Sequence, residues 1–536
     1  MAAHGMICAP QPEAVEAGAL ALMKGGNAVD AAIACAFVQG VVDPLMCGIA
    51  GFGSCQVYMP GRGAHAIVDF HGRVPRRARP EMWQHLIEGE TRDGFGFVLK
   101  GRVNDVGYRS ITTPGSLKAY HEVHRRFGVL PWCDVVAPAI AQAADGFAVS
   151  PDVYHYWMSV DPDPRVPILD RLRHSAGSRA LYLDAEGNPK RIGTIIRNTD
   201  YARTLTQIAE EGAETFYTGA LSRTIAADMA AHDALLDAQD LAAYRTVETE
   251  PLVGTYRGHR LTTNRPPGGG IQLIEMLNIL ENFDVTALGH NTPAMIKLVA
   301  EAMKSATADK DAHVGDPAFV DVPVARLTDK AYARARTDEI RAGRRVRVTR
   351  LPSSESPGTT HISVIDKGGN IVSMTHSLGM MSGVITDGLG FMYNGCMGVF
   401  DPRPGRAGSI APGKARFSSI CPTIVFKDDK PMLVIGAPGG THIAMGVLQV
   451  ILNVIDFGMS ITEAVIAPRF SALSDAIEVT ARIPRFVSDQ LAVEGYAIDR
   501  NPLSFAIAGV HPIKIDGDRL TGAGDPAYGG GMALLV

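Results

Sequence analysis

SSESPGTTHISVIDKGGNIVSMT, residues 353–375, runs from a Ser/Pro/Gly segment straight into two threonines and an alternating stretch. Thr360 to Asp366 alternates, Lys367-Gly368-Gly369-Asn370 supplies a turn, and Ile371 to His376 alternates again. The pattern predicts a β-hairpin that begins at the threonine pair. In a continuous chain Thr359 is a turn-exit residue, but a cut before it would change its chemistry. A threonine hydroxyl is a weak nucleophile until a base takes its proton, and an α-amine on the same residue, with an ordinary pKa of about 7.7–8.0, is such a base. Cleavage at Gly358–Thr359 creates that amine. The Thr359 hydroxyl can make the cut itself by attacking the Gly358 carbonyl in an N-to-O acyl shift, and a glycine on the acyl side leaves the approach open.

Downstream, CPTIVFKDDKPMLVIG (421–436) predicts a second hairpin, and APGGTHIAMGVLQVILNVID (437–456) places Gly439-Gly440 at the start of an apolar helix. Two glycine N–H groups at a helix N-terminus are suited to negative charge. Upstream, Glu13 to Lys24 reads as a helix closed by Gly25-Gly26, and a second helix starts from an Asn27 cap. CGIAGFGSCQVYMP (47–60) and HAIVDFHG (65–72) read as strands around Gly61-Arg62-Gly63. Residues from about 115 to 340 read as mainly helical, with loops at DPDPRVP (161–167) and NRPPGGG (264–270).

At 536 residues the chain is long enough for several domains or one large layered domain. Hydrophobic residues at 46%, charged residues at 20% and a net charge of -5 describe an ordinary globular protein and argue against nucleic acid as a partner. The 57 glycines exceed the usual share of about 7% and fall in clusters, which suits backbone-built sites. Cys8, Cys35, Cys47, Cys55, Cys133, Cys396 and Cys421 show no metal-binding spacing and read as reduced, mostly buried thiols. No run of eighteen apolar residues and no basic-then-apolar leader is seen, so the expectation is no membrane span and a cytoplasmic location.

GGNAVDAAIA (25–34), TPG (113–115), LLDAQDLAAYRTVETEPLVGTYRG (235–258), GDPAFVDVP (315–323), TTHISVIDKGGNIVS (359–373), SSICPTIV (418–425), GAPGG (436–440) and GAGDPAYGGG (522–531) follow one another along the chain. In that order they resemble the gamma-glutamyltranspeptidase family of N-terminal nucleophile (Ntn) hydrolases. The resemblance implies an α+β fold, a four-layer αββα sandwich built as one domain from a large segment, 1–358, and a small segment, 359–536. It implies a precursor that cleaves itself before Thr359 and needs no metal or organic cofactor. Thr359 would be the nucleophile, Thr375 its assisting threonine, Gly439 and Gly440 the oxyanion hole, and Ser418 and Ser419 part of the acyl pocket. Ser377 joins them as a substrate contact.

Two segments depart from the family pattern. Where glutathione-acting members carry D-[FY]-R-E-x-A-P, this chain has DFHGRVP (69–75), with His71 in the arginine position and Arg73 two residues on. A two-residue shift along a strand keeps the face but moves the group by nearly 7 Å. Gly379 replaces a family asparagine, and YNGCMGVF (393–400) places Val399 where an aspartate would bind an α-ammonium. The catalytic half is kept and the glutamyl-reading half rewritten, so the closer resemblance is to oxamate amidohydrolase and the cephalosporin acylases. His71, Arg73, Tyr393 and Asn394 are the candidate acyl contacts, with His376 facing either way. The loop 401–416 corresponds to a shortened lid whose Arg403, Arg406, Lys414 and Arg416 either steer an anion or stand in solvent.

The expectation is a self-cleaving threonine amidohydrolase acting on a small polar or carboxylated acyl amide, with the two segments staying associated and a homo-oligomer of the processed heterodimer left open. Two rivals stand beside it: a true γ-glutamyl hydrolase or transpeptidase that reads its substrate through Arg73, and an uncleaved ligand-binding protein on the same scaffold.

Overall fold

The computed structural model describes residues 4–91, 96–159, 165–348, 358–527 and 531–536. Residues 353–357 of the opening stretch and 528–530 of GAGDPAYGGG lie outside the described residues. Thirteen strands of the described chain make two antiparallel sheets. They are β1 (Gly5–Ala9), β2 (Phe52–Met59), β3 (Ala64–Asp69), β4 (Val247–Thr249), β5 (Leu252–Tyr256), β6 (His259–Thr263), β7 (Thr360–Asp366), β8 (Ile371–Ser377), β9 (Thr423–Lys427), β10 (Lys430–Ile435), β11 (Ile513–Asp516), β12 (Arg519–Gly522) and β13 (Met532–Leu535). The first sheet runs β13-β1-β7-β8-β2-β3-β4 and the second β12-β11-β10-β9-β6-β5. Strands from both sides of Gly358–Thr359 pair with one another in each sheet.

The hairpin β7–β8 occupies the middle of the first sheet, and all seven residues of each strand are buried. Such complete burial requires a layer on each face. On one face Ile362, Val364, Val372 and Met374 join the core formed with α1 (Pro12–Met23) and α2 (Ala28–Val42). On the other, Ile365 and Ile371 meet Ile424, Phe426 and Val434 of the second sheet. The second sheet's outer face packs Leu261, Val425, Leu433 and Ile435 against α3 (Gly270–Leu280), α4 (Pro293–His313) and α5 (Ile443–Ile455). The order is helix, sheet, sheet, helix: an α+β sandwich of four layers.

Local chemistry accounts for the joints. Asn27 caps α2 in a reciprocal box with Asp30, and all fifteen residues of α2 are buried, as its mostly apolar composition, apolar on every face, requires. Asp366 closes the β7–β8 turn by accepting from the backbone N–H of Gly368 (2.7 Å) and Asn370 (3.1 Å). Its other oxygen accepts from Ala28 N–H (2.9 Å) at the start of α2, so one carboxylate fastens the hairpin to the helix layer and complements that helix terminus. Strands β4, β5 and β6 lie in a stretch whose pattern reads as helical. Each is only three to five residues long, and β6 is fixed by pairing with β9 far along the chain, Leu261 opposite Val425.

Six cysteines are buried and Cys133 is exposed, all as free thiols. No helix among the described residues is long and apolar enough to cross a membrane.

Just after β10, Gly436 packs directly against His361 of β7. A β-carbon on Gly436 would overlap the imidazole, which cannot swing aside because its ring nitrogens are held by Thr375 Oγ1 (2.8 Å) and Ser363 Oγ (3.0 Å). Gly436→Ala should therefore lower stability by about 1–3 kcal/mol, the usual cost of overpacking, seen as a lower urea midpoint at unchanged m-value. Gly61→Ala, where a β-carbon meets open space, should stay within about 0.5 kcal/mol of the parent.

Candidate active site

The pairing of Thr360 with His376 fixes the next step: Thr359 faces Ser377 across the open end of the hairpin. Ser377 Oγ accepts from the Thr359 hydroxyl (3.0 Å) and from Gly379 N–H (2.7 Å), and donates to the Gly358 carbonyl. A hydroxyl has one proton and two acceptor positions. The Gly358 oxygen and the Gly379 N–H leave no choice of direction, so the Thr359 proton must point at Ser377. The Thr359 hydroxyl, the Ser377 hydroxyl and the Gly358 carbonyl are thus linked in one chain of hydrogen bonds across the peptide bond 358–359. A β-carbon on Gly358 would run into the Gly379 carbonyl oxygen, which explains the glycine before the threonine.

Thr375 lies one register step farther in. Its hydroxyl is bound to His361 Nδ1 (2.8 Å), and burial holds the His361 imidazole well below its ordinary pKa, so the ring is neutral. The structure therefore corrects the assignment of Thr375 as the assisting threonine: the hydroxyl against Thr359 is that of Ser377, two residues on and on the same face of β8. His376 points the opposite way, into the helix layer, where it meets Tyr120 OH and Gln39 Oε1 (2.8 Å).

A cavity of ≈ 50 Å³ opens at the hairpin end, lined by Gly358, Thr359, Ser377, Gly379, Ser418, Ser419, Gly440 and Thr441, with Phe52, Met380, Val399, Ile420 and Ile443 as its apolar walls and Arg165 and Arg416 as its charged ones. It is far smaller than the ~300–1,000 Å³ of a drug-sized pocket. No aspartate or glutamate is among the lining residues. Gly439 and Gly440 take φ values of +133° and +54°, a backbone course that favours glycine, and lead through a short 3₁₀ turn into α5. Gly439 carries the bend behind the wall that Gly440 forms. Ser418 and Ser419, both nearly inaccessible, are held in place by the Ser418 N–H bond to the Pro267 carbonyl (2.9 Å). Beyond Val399 and Arg416, which border both, lies a larger cavity of ≈ 370 Å³.

Four expected acyl contacts are elsewhere. His71 is buried with Nδ1 on Asp69 Oδ2 (2.7 Å). Arg73 is spent on the Gly413 carbonyl (3.2 Å) and Asp316 (3.7 Å). Tyr393 shares its hydroxyl with Thr386 (2.9 Å), and Asn394 staples Ala50 and Thr112 through both ends of its amide. None of the four lines the cavity; the sequence motif places them near the site but does not report which way their side chains turn. Of the loop cations, Arg406 stands in solvent, one of the two expected readings, and Arg403 is half-buried. Arg403 and Arg406 pair with Asp401, whereas Lys414 and Arg416 are only 3% and 5% exposed. Arg416 and Phe52 are among the wall residues that the sequence did not single out as acyl contacts. The one available signal was KARFSSI, which puts an arginine two residues before the serine pair. Among the described residues no cluster of His, Cys, Asp and Glu is arranged to hold a metal ion.

The gamma-glutamyltranspeptidase family profile matches residues 14–535. An acylase ACY 1 proenzyme from Pseudomonas sp. (strain V22) is 39% identical over 544 aligned residues, covering 99% of this chain and 94% of the relative. The glutathione hydrolase proenzyme of Escherichia coli (strain K12) is 34% identical, covering 98% and 90%. Among solved structures, a cephalosporin acylase from Bacillus halodurans superposes with a TM-score of 0.87 at 28% identity, covering 99% of this chain and 96% of that one.

Removing the Ser377 hydroxyl leaves both the Thr359 proton and the Gly358 oxygen without their shared partner. Ser377→Ala should slow cleavage at 358–359 by about 100-fold or more, the usual cost of losing one such donor, in a gel time course of the purified precursor. Ser377→Thr should cleave at close to the parent rate. Gly358→Ala, blocked by the Gly379 carbonyl, should stay largely uncut.

Proposed function

Because the chain belongs to the gamma-glutamyltranspeptidase family, we propose that it is a self-cleaving amidohydrolase with Thr359 as nucleophile, acting on small polar or carboxylated acyl amides. The observation that carries this reading is the hydrogen-bond chain from Thr359 through Ser377 to the Gly358 carbonyl. In the precursor the Thr359 oxygen attacks the Gly358 carbonyl carbon. Its proton moves to Ser377 as Ser377 donates to the developing oxyanion, so charge separation in the buried site stays small. Collapse breaks the Gly358–Thr359 C–N bond, the proton ends on the new amine, and water hydrolyses the resulting Gly358–Thr359 ester. The products are a carboxylate on Gly358 and a free α-amine on Thr359.

That amine then serves as the base for turnover. It takes the Thr359 proton as the oxygen attacks the substrate amide, and returns it to the leaving amine. N–H groups from the Gly439–Gly440 turn are assigned to the oxyanion, and Ser418 and Ser419 to the acyl chain. Water resolves the acyl-Thr359 ester. The adjoining ≈ 370 Å³ cavity gives the amine product a way out past Val399.

The likeness to a glutathione hydrolase raises γ-glutamyl amides as an alternative. A γ-glutamyl head carries an ammonium, and the cavity offers it two arginines and no carboxylate. Stranding such a charge costs several kcal/mol. The proposal therefore expects Thr359→Ala to remain one 57.1 kDa chain without amidase activity, and Thr359→Ser to cleave itself at a reduced rate. It expects γ-glutamyl anilide to be a poor substrate for the cleaved parent. Efficient release of aniline from that compound would instead establish a γ-glutamyl hydrolase, and a parent chain that never cleaves would leave only a ligand-binding scaffold.

A further inference from the structure

We propose that the protein carries a second binding site, apart from Thr359, in which Lys414 and Phe319 hold a small aromatic carboxylate. The site is a cavity of ≈ 450 Å³ between the loop 404–414 and the end of α4, walled by Pro80, Val320, Ile410 and Ala411 together with Phe319 and Lys414. Its volume falls within the ~300–1,000 Å³ of small-molecule pockets. It shares no lining residue with the ≈ 50 Å³ cavity at Thr359.

Lys414 is the residue that calls for a ligand. It is 3% exposed, yet among the described residues its ammonium donates to no acceptor and enters no ion pair. What it does meet is the Phe319 ring, whose centre lies 6.0 Å away, at the outer limit of a cation–π contact. Asp316 acts on it only through its field, because that carboxylate is engaged elsewhere. One oxygen accepts from Ala415 N–H (2.8 Å) with Arg73 at 3.7 Å, and the other accepts from Ala318 N–H (3.0 Å). An ammonium has three protons to donate, and a buried position that leaves them unmet disfavours the charged form. Burial accordingly lowers the Lys414 pKa, and Asp316 offsets only part of the effect. The backbone holds the residue where it is: Lys414 N–H donates to the Ala411 carbonyl (3.0 Å), and its carbonyl accepts from Val74 N–H (2.9 Å). An anion entering the cavity would supply the missing acceptors without moving the chain.

Phe319 sets the rest of the ligand. It is a large apolar side chain left 43% exposed on the same cavity, and its backbone is fixed because Phe319 N–H (2.9 Å) and Val320 N–H (3.0 Å) both donate to the Asp316 carbonyl. A flat body lying against this ring, with Pro80, Val320 and Ile410 around it, brings an attached carboxylate to Lys414. The other charged groups at the cavity keep the balance in favour of an anion. Arg406, exposed at the rim and 3.7 Å from Asp401, adds a second cation; Asp321 is exposed and His313 half-buried. A neutral ligand would leave the ammonium as it stands, and a bare inorganic ion would leave the ring uncovered.

The test titrates the purified parent, Lys414→Gln and Phe319→Ala with benzoate, benzamide and inorganic phosphate by calorimetry. The parent should bind benzoate at one site per chain, and benzamide, which lacks the charge, about tenfold or more weakly. Lys414→Gln should lose about 10- to 200-fold in benzoate affinity, the range for one charge-assisted hydrogen-bonded contact. Phe319→Ala should lose about 2- to 10-fold, the range for one aromatic pair. A parent that takes up no benzoate, or binds benzamide equally well, overturns the proposal. Inorganic phosphate bound as tightly as benzoate refutes the aromatic class. Benzoate held in the Thr359 cavity instead would show full affinity in both variants, which also overturns it. If Lys414→Gln fails to fold, Phe319→Ala decides, since its ring stands at the surface: unchanged benzoate affinity there contradicts the site.

Discussion

The antiparallel pairing of β7 with β8 is the constraint on which the site depends. With Thr360 opposite His376, every second side chain of the hairpin faces the gap between the sheets, and Thr359 has no neighbour across the ladder but Ser377. A slip of one residue would turn Thr359 toward the helix layer and bury His361 among the apolar side chains of α2. Asp366 guards against that slip by closing the turn and binding the start of α2 with the same carboxylate.

The same pairing gives self-cleavage a reason to leave the fold intact. In the first sheet β7 lies between β8 and β1, and in the second β9 lies between β10 and β6. Strands on either side of the cut therefore share ladders in both sheets. Breaking one peptide bond removes a covalent link without removing any strand from its neighbours. A cut at Gly358–Thr359, as proposed, would add an amine at the point where the hydrogen-bond chain already ends.

Much of this was legible in the sequence because the signals are local. The β7–β8 turn, the Asn27 cap and the apolar run of α5 follow from turn chemistry, capping and composition within a few residues. Strands β4 to β6 were missed because they are short and because the partners that hold β4 and β6 in their sheets, β3 and β9, are distant in sequence. At the site, Thr359, Gly358, Ser377, Ser418, Ser419 and Gly440 share the cavity, whereas His71, Arg73, Tyr393 and Asn394 make contacts outside it. The difference is one of direction: a motif places a residue on a strand or loop, and packing decides what its side chain reaches. Asn394, saturated by Ala50 and Thr112, stiffens the wall behind the site. Arg416 has the reverse history, since a loop composition that suggests solvent hides a side chain buried against Phe52. Thr375 and Ser377 are alike in residue type and face, and only the register tells which of them meets Thr359.

The central claim is that the chain is made to be cut at one bond, so that Thr359 becomes a chain end carrying its own base. N-terminal sequencing of the smaller fragment of the purified protein tests this most directly. The predicted result is a single sequence beginning Thr-Thr-His-Ile-Ser, together with a larger fragment ending at Gly358. A chain that stays whole, or a fragment beginning at any other residue, would contradict it.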